Sequence, residues 1–507
     1  MPLRFQKISA VEYTSIAQEG SNMKNKVQLI TYPNSLGRDL KELKSVLEGP
    51  LRGLFAGGVH ILPPFPSSGD RGFAPLTYLR IDPVFGSWSD IESIGQNRDI
   101  LVDLMVNHIS RQSEQFQDFL ENGPESDFAD LFITLNKVWP DGVPVQSDLD
   151  RIFLRRALPY SEYQSKRQGP VRVWTTFGKT DPSEQIDVDI HSAAAKLMFE
   201  EVLRNFSAHG VKIVRLDAVG YVNKKAGTSC FFLEPEIYEF LDWISAVAEK
   251  HNLSLLPEVH ADCRYQYALA SKGFWIYDFI LPYRIVEAIM LRRAEALVQY
   301  LKERPENQFT MLDCHDGLPI MPDLNGLADP ETAQMITDIC VNRGCNVSKV
   351  YSTAHKNPNG FDVHQIRGTI YSILGEDDDA YIIARAIQLF TPGIPQIYYV
   401  GLLAGANQYQ CAEQTGDGRE INRYNYTIDE VNAALERNVV QRLIRLIRLR
   451  NDHPSFQGTF SVGSLGESEI ALRWMHGAET SVLQVELHIK TAVVTFSRAG
   501  VIEQIVL

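Results

Sequence analysis

Lys212-Ile-Val-Arg-Leu-Asp217 is the stretch on which the reading of the fold turns. Lys212 to Leu216 is mainly β-branched and apolar, and Gly210 and Gly220 bound it, the pattern of a short buried strand. The strand ends in a carboxylate, Asp217, with Arg215 two residues earlier. Residues i and i+2 of a strand share a face, so guanidinium and carboxylate lie side by side. An acid held beside an arginine is expected to stay ionised, as a nucleophile must be. Alone, an Arg-x-Asp reads more naturally as a structural ion pair capping a strand. The ends of the other strands decide between the two readings.

Similar apolar runs recur along the chain: Val27 to Ile30, Gly57 to Leu62, Ile100 to Val106, Leu253 to Glu258, Trp275 to Ile280, Phe309 to Asp313 and Gly393 to Tyr399. Helical patterns alternate with them at Leu40–Leu47, Asp90–Gln96, Ala193–Ala208, Pro235–His251, Val286–Leu301 and Asp379–Leu389. Alternation of this kind builds a parallel sheet. Eight strands with intervening helices predict an α/β fold, a (β/α)8 TIM barrel. Two long mixed stretches interrupt it, and alternating segments near the end, Ile470 to Trp474 and Ala492 to Phe496, predict a small antiparallel β domain. The expected organisation is a leader over 1–22, a barrel from 23–108, 187–317 and 376–454, an inserted subdomain over 109–186 after the third strand, a second insertion over 318–375 after the seventh, and a C-terminal β domain over 455–507.

In such a barrel, chemistry sits at the C-terminal strand ends. Those ends carry Asp103, Asn107 and His108 on strand three, Arg215 and Asp217 on four, Glu258 and His260 on five, and Asp313, His315 and Asp316 on seven. So much buried charge is hard to explain by packing. Three carboxylates on three strands suit glycosyl transfer with retention, which needs a nucleophile and a proton donor about 5 Å apart. Asp217 beside Arg215 suits the nucleophile. Glu258, after Leu255-Leu-Pro257, has the apolar setting that raises a carboxyl pKa and suits the acid/base. Asp316 would steady the oxocarbenium-like transition state and hold ring hydroxyls.

Composition narrows the rest. The 507 residues suit one large α/β domain with insertions and a smaller appended one. A net charge of −14 disfavours nucleic acid and anionic membranes as partners. No apolar run approaches the ~18 residues that span a bilayer. Met1 to Asn22 carries Arg4, Lys7, Glu12 and Glu19 with no apolar core of the signal-peptide type, so a cytoplasmic protein is expected. Six scattered cysteines without a C-x-x-C pair favour buried reduced thiols over zinc or disulfides. Monomer and homodimer both remain open.

Asp103-Leu-Met-Val-Asn-His108, Arg215-Leu-Asp217, Glu258-Val-His260 and His315-Asp316 together resemble the four short motifs of the α-amylase superfamily, in order and on the expected strands. The likeness covers nearly the whole chain. It implies Asp217 as nucleophile, Glu258 as acid/base and Asp316 as stabiliser. Lys24 to Tyr32, Gly58 to Leu62, Arg215 to Tyr221, Gly227 to Cys230, Tyr277 to Phe279, Pro392 to Gly401 and Gly418 to Arg423 resemble the sucrose-phosphorylase branch of that superfamily more closely. By that likeness Asp70, Phe73, His108, Phe177, Arg215, His315 and Arg419 line a glucose subsite, and Arg419 with Asp70 closes the pocket behind one glucosyl unit. The branch implies no metal and no cofactor, with inorganic phosphate as co-substrate and α-glucose 1-phosphate as product. Phosphate must outcompete water, so cationic donors have to line the acceptor side; Arg155 or Arg156 and His260 are the candidates.

Within the branch, Pro63 to Pro75, Arg155-Arg156, Trp174 to Gln185 and Phe361-Asp-Val-His-Gln365 resemble the sucrose 6'-phosphate phosphorylases, and the likeness implies the arginine and His364 in holding a sugar phosphate. The next residues depart from that group's Ile-Asn-Cys-Thr-Tyr-Tyr: here they are Ile366-Arg-Gly-Thr-Ile-Tyr371. Arg367 replaces a small amide, Gly368 loosens the backbone, and Ile370 removes an aromatic hydroxyl. A long arginine can shrink the pocket to suit glycerol, as in the glucosylglycerol phosphorylases, or add a second clamp on a phosphate. The departure at contact positions favours the small polyol, with sucrose 6'-phosphate or sucrose as the alternative and a hydrolase as the nearest rival activity. Gln365 and Arg367 join the expected acceptor contacts.

Overall fold

Eight parallel strands form the centre of the computed structural model, which describes residues 23–320, 328–351, 361–464 and 466–507. They are β1 (Gln28–Thr31), β2 (Gly58–Ile61), β3 (Asp99–Met105), β4 (Val211–Asp217), β5 (Ser254–Pro257), β6 (Ile276–Asp278), β7 (Gln308–Thr310) and β8 (Ile394–Tyr398). Neighbours run β6-β7-β8-β1-β2-β3-β4-β5, so the sheet curls into a nearly closed barrel whose open seam lies between β5 and β6. Every residue of β3 and of β8 is buried, because helices cover the outside and side chains fill the inside. That is why these strands read as continuous apolar runs. Leu101, Ile213, Leu256, Tyr277, Phe309 and Ile394 form one apolar cluster, each from a different strand. The expected leader over 1–22 lies outside the described residues, as do 321–327 and 352–360 of the second insertion.

The helices follow their apolar stripes. Ala193–Ala208 buries Ala195, Phe199, Val202, Leu203 and Phe206, and Ser192 caps it by accepting from the Ala195 N–H. One expectation fails. The run Val286–Leu301 is not one helix but the ends of two, Leu281–Leu291 and Glu295–Glu303. Arg292 adopts a left-handed φ of 57° and ends the first. The turn frees the Ala294 N–H to bond Glu467 of the C-terminal domain at 2.8 Å.

Both insertions are more regular than their sequences suggest. The first holds the helix Glu114–Asn122 and the hairpin Tyr160–Ser165/Gly169–Trp174. The second holds the helix Pro330–Asn342 and a three-stranded antiparallel sheet of Leu318–Pro319, Val363–Arg367 and Asn346–Lys349. The C-terminal domain is a five-stranded antiparallel meander, β9 (Thr459–Gly463), β10 (Glu469–His476), β11 (Glu479–Glu486), β12 (Thr491–Arg498) and β13 (Val501–Val506). Trp474 pins it to the barrel by donating to the Phe390 carbonyl at 2.7 Å. No helix among the described residues is long and apolar enough to cross a membrane.

A buried ion pair ties β6 to the helices outside it. Asp278 accepts from Arg304 Nε at 2.9 Å and from the Leu281 N–H at 2.9 Å, while Arg304 also donates to the Pro392 carbonyl at 2.8 Å. Arg304→Leu leaves that carboxylate buried without its cation. It is expected to cost about 3–5 kcal/mol, read as a fall in the urea midpoint, whereas Gln299→Ala on the exposed side of the same helix shifts stability by less than about 0.5 kcal/mol. Equal midpoints for the two variants would contradict this role.

Candidate active site

The strand ends converge on one guanidinium. Arg215 Nη1 lies 2.5 Å from Asp103 Oδ1 and 2.7 Å from Asp217 Oδ1, and Nη2 lies 3.2 Å from Glu258 Oε1. The register of β3 against β4 sets Asp103 beside Arg215, and β5 brings Glu258 from the other side. Ala218 takes a left-handed φ of 56°, a conformation a non-glycine residue holds only at a price of about 1 kcal/mol or more. The turn aims its N–H at Glu258 Oε2, 3.0 Å away, and so fixes Glu258 next to Asp217. Two expectations change here. Arg215 lines no part of the cavity; it lies beneath the carboxylates and is consumed by them. Nor is Glu258 in an apolar setting, since both its oxygens face N–H donors.

Charge in this cluster is unequal. His60 Nε2 meets the far oxygen of Asp103 at 2.8 Å. Burial opposes the Asp103 charge, but His60 and Arg215 outweigh it and hold that carboxyl low. Asp217 goes the other way. Burial raises its pKa well above the usual carboxylate range, and Glu258 and Asp103 add to the rise against the pull of Arg215. The adjacent arginine therefore does not offset burial and the neighbouring acids at Asp217. Three carboxylates around one guanidinium retain a proton.

A cavity of about 880 Å³ opens above them. Its inner end is closed by ion pairs. Arg419 Nη2 lies 2.6 Å from Asp70 Oδ1 and its Nη1 3.4 Å from Asp316 Oδ1. Arg423, fully buried, lies 3.5 Å from Asp70 and 3.8 Å from Asp316, and donates to the His315 carbonyl at 2.8 Å. Lys179 reaches Asp417 at 2.5 Å and Asp70 at 3.6 Å. Burial works against the Asp316 charge, yet His315, Arg419 and Arg423 hold its carboxyl well below the usual range. Burial pushes His315 down to about 3. It stacks on Phe73 with centroids 4.8 Å apart, while His108 bonds the Phe73 carbonyl at 2.9 Å and packs against Phe177. Asp70, Phe73, His108, Phe177, His315 and Arg419 thus surround one space. Sequence reading passed over Arg423, Lys179, Asp417 and His60; Arg423 lay at the end of a quoted motif without a role.

The outer end is different. Arg155 Nη1 meets His364 Nε2 at 2.5 Å. Gln365 donates to His260 Nδ1 at 2.9 Å, and His260 stacks on Phe279. Arg367 projects between this group and Arg419. Its guanidinium makes no hydrogen bond among the described residues, and its Nε is buried without a partner. Burial, then the charges of Arg419 and Arg155, depress its pKa against Asp417 and Asp316. Arg156 also lines the cavity, but its guanidinium is held by protein groups: it bonds Ser161 at 2.9 Å, Thr175 at 2.8 Å and the Thr180 carbonyl at 3.1 Å. Of the paired arginines, Arg156 carries three such bonds and Arg155 meets His364. Asn107 and Asp313 also serve structure, the first bonded to Asp187 at 3.0 Å and the second to buried Arg385 at 2.7 Å. Cys314, His315 and Asp316 bring ligand atoms within 4.8 Å of one another. Burial raises the Cys314 thiol pKa, and Arg419 already engages Asp316.

Comparison with known proteins agrees with this geometry. A family model for the alpha amylase catalytic domain matches residues 38–281. The sucrose 6(F)-phosphate phosphorylase of Thermoanaerobacterium thermosaccharolyticum is 57% identical over 466 residues, covering 92% of this chain and 95% of that protein. The chain belongs to the alpha-amylase family. Within it, this is a retaining glycoside phosphorylase of the sucrose-phosphorylase branch. The glucosylglycerol phosphorylase of Marinobacter adhaerens is 41% identical over 476 residues, 94% of this phosphorylase and 97% of that one. The crystal structure of the sucrose 6F-phosphate phosphorylase from Thermoanaerobacter thermosaccharolyticum superposes with a TM-score of 0.95 at 54% identity, covering 97% of this chain and all of that one.

The raised pKa of Asp217 has a stability consequence. An acid whose pKa is higher folded than unfolded weakens the folded chain as pH climbs from the unfolded value towards the folded one. Asp217→Asn removes that penalty. The variant of this phosphorylase is expected to be more stable than wild type at pH 8, and the gap closes by about 1.4 kcal/mol per pH unit as pH falls through that window towards ~4. A variant less stable than wild type at pH 8 in denaturant titrations would contradict it.

Proposed function

We propose that the enzyme transfers glucose from sucrose 6'-phosphate to inorganic phosphate through a glucosyl ester on Asp217. In the first step Asp217 Oδ attacks C1, the bond from C1 to the fructosyl oxygen breaks, and Glu258 gives its proton to that oxygen. Fructose 6-phosphate leaves. Inorganic phosphate then attacks C1, returns a proton to Glu258, releases Asp217 and forms α-glucose 1-phosphate. The chemistry needs the retained proton on Glu258 and the charge on Asp217. Both acids touch Arg215, which sets them side by side. Asp316, held ionised by Arg419 and Arg423, suits the ring hydroxyls and the cationic character of the transition state.

The aglycone rests on one observation: the outer end of the cavity holds more positive charge than its own carboxylates answer. Arg155 and Arg367 both face it, and neither has an ion-pair partner among the described residues. A phosphorylated acceptor supplies the missing anions, and glycerol supplies none. The 57% identity to a sucrose 6(F)-phosphate phosphorylase, against 41% to a glucosylglycerol phosphorylase, supports the same choice. The preference for glycerol drawn from the Arg367 departure is accordingly set aside. Phosphorylated sugars do not cross bilayers unaided, which fits the expected cytoplasmic location.

The test is the rate of glucose 1-phosphate formation from competing glucosides. Sucrose 6'-phosphate is expected to exceed glucosylglycerol by about 100-fold or more in kcat/KM, the worth of one or two charge-assisted contacts. Arg155→Ala should raise KM for sucrose 6'-phosphate about 10–100-fold while changing KM for sucrose little. Faster turnover of glucosylglycerol, or glucose release that ignores phosphate, would overturn the assignment.

A further inference from the structure

The C-terminal sheet ends in a bare edge. Among the described residues β13 pairs with β12 alone. Val501 is 61% exposed, Ile502 75% and Val506 73%. Proteins usually blunt such an edge with lysine, proline, a bulge or a very short strand. This one runs Val-Ile-Glu-Gln-Ile-Val, in unbroken register from Arg498↔Val501 to Val493↔Val506. Just beyond it, the Leu507 N–H bonds inward to the Ala492 carbonyl at 2.9 Å. In an antiparallel strand a residue's N–H and C=O point to the same side, and successive residues alternate. The odd-numbered residues therefore serve β12. Ile502, Gln504 and Val506 aim their backbone groups at the open edge.

We propose that this edge pairs antiparallel with the same edge of a second copy of the chain, about a two-fold axis at Gln504, joining the two sheets into one. Stereochemistry narrows the register. A two-fold axis normal to the sheet keeps each face on its own side. Residues opposite one another must then share a face, and faces alternate along a strand. The two numbers of every pair must therefore sum to an even number. This excludes a centre between Glu503 and Gln504, where the sequence is nearly palindromic. A centre at Glu503 sets that carboxylate against its own copy in the closer, non-hydrogen-bonded kind of pair, where like charges repel. A centre at Gln504 sets amide beside amide, Ile502 opposite Val506 in both directions, and Glu503 opposite Ile505. Every outward backbone group of Ile502, Gln504 and Val506 then finds a partner. A second copy is the occupant because its own exposed Ile502 and Val506 face each other across the axis and the outward backbone groups of the two edges answer one another. The shared strip is about 20 Å long and buries on the order of 800 Å² in total, below the size of a permanent interface. The dimer therefore depends on concentration.

Sedimentation equilibrium across protein concentrations tests this. The wild-type mass should climb from 57.2 kDa towards twice that value, half-way at about 10–100 µM, the affinity of a transient contact. Gln504→Pro removes an N–H only from the open side, which an edge strand tolerates; it should stay monomeric throughout with unchanged kcat/KM and circular dichroism. A crosslink reads the register. Under mild oxidation Gln504→Cys should form a disulfide with its own copy, since hydrogen-bonded pairs lie about 5.5 Å apart between Cα atoms. Ile502→Cys, opposite Val506 of the second copy, should not. A wild-type chain that is monomeric at about 500 µM, a dimer that survives Gln504→Pro, or a crosslink through 502 but not 504 would each overturn the proposal.

Discussion

One guanidinium sets the terms for the whole molecule. Arg215 lies at the mouth of the barrel, almost fully shielded from water, and three carboxylates from β3, β4 and β5 converge on it. Gathering that much negative charge out of water is expensive unless cations and N–H groups answer it. Here Arg215, His60 and the Ala218 N–H answer it incompletely, and a proton makes up the difference. A less reactive site would have been more stable. The barrel's apolar strands, the buried helix contacts and pairs such as Arg304–Asp278 hold the scaffold rigid enough to keep these acids together.

The cavity above the cluster has two electrostatic characters. At the inner end Asp70, Asp316 and Asp417 are matched by Arg419, Arg423 and Lys179 in a closed network. Such a network fixes shape and offers acceptors and donors to neutral hydroxyls without demanding a charged ligand. At the outer end Arg155 and Arg367 make no ion pair with a carboxylate among the described residues. The boundary between balance and excess falls where a glycosidic oxygen would lie, above Asp217 and Glu258. Under the proposed function, a neutral sugar lies inward and an anion outward.

The barrel was legible because burial on both faces leaves an unmistakable trace: uninterrupted apolar runs that end in charge. The apposition of Arg215 and Asp217 followed from strand periodicity alone. What stayed hidden depended on other parts of the chain. Arg155 and Arg156 are neighbours of the same type, and Ser161 of the hairpin with Thr175 and Thr180 after it decides which one is held by the protein. That hairpin escaped notice because Ser161 and Ser165 occupy buried positions where an apolar alternation would show. The helix break at Arg292 carries no glycine or proline to announce it. The protonation of Asp217 is set by acids on the two adjacent strands, so no local reading of β4 reveals it.

Asp217 as the residue that takes the glucosyl group is the claim on which the rest depends. It is tested most directly by trapping that group. Glu258→Gln enzyme given α-glucosyl fluoride, whose leaving group needs little protonation, should stall as a covalent adduct in the absence of phosphate. Peptide mass spectrometry should then find one added glucosyl mass on the peptide that carries Asp217. The same mass on a different residue, or a freely turning-over enzyme with no adduct anywhere, would contradict the account.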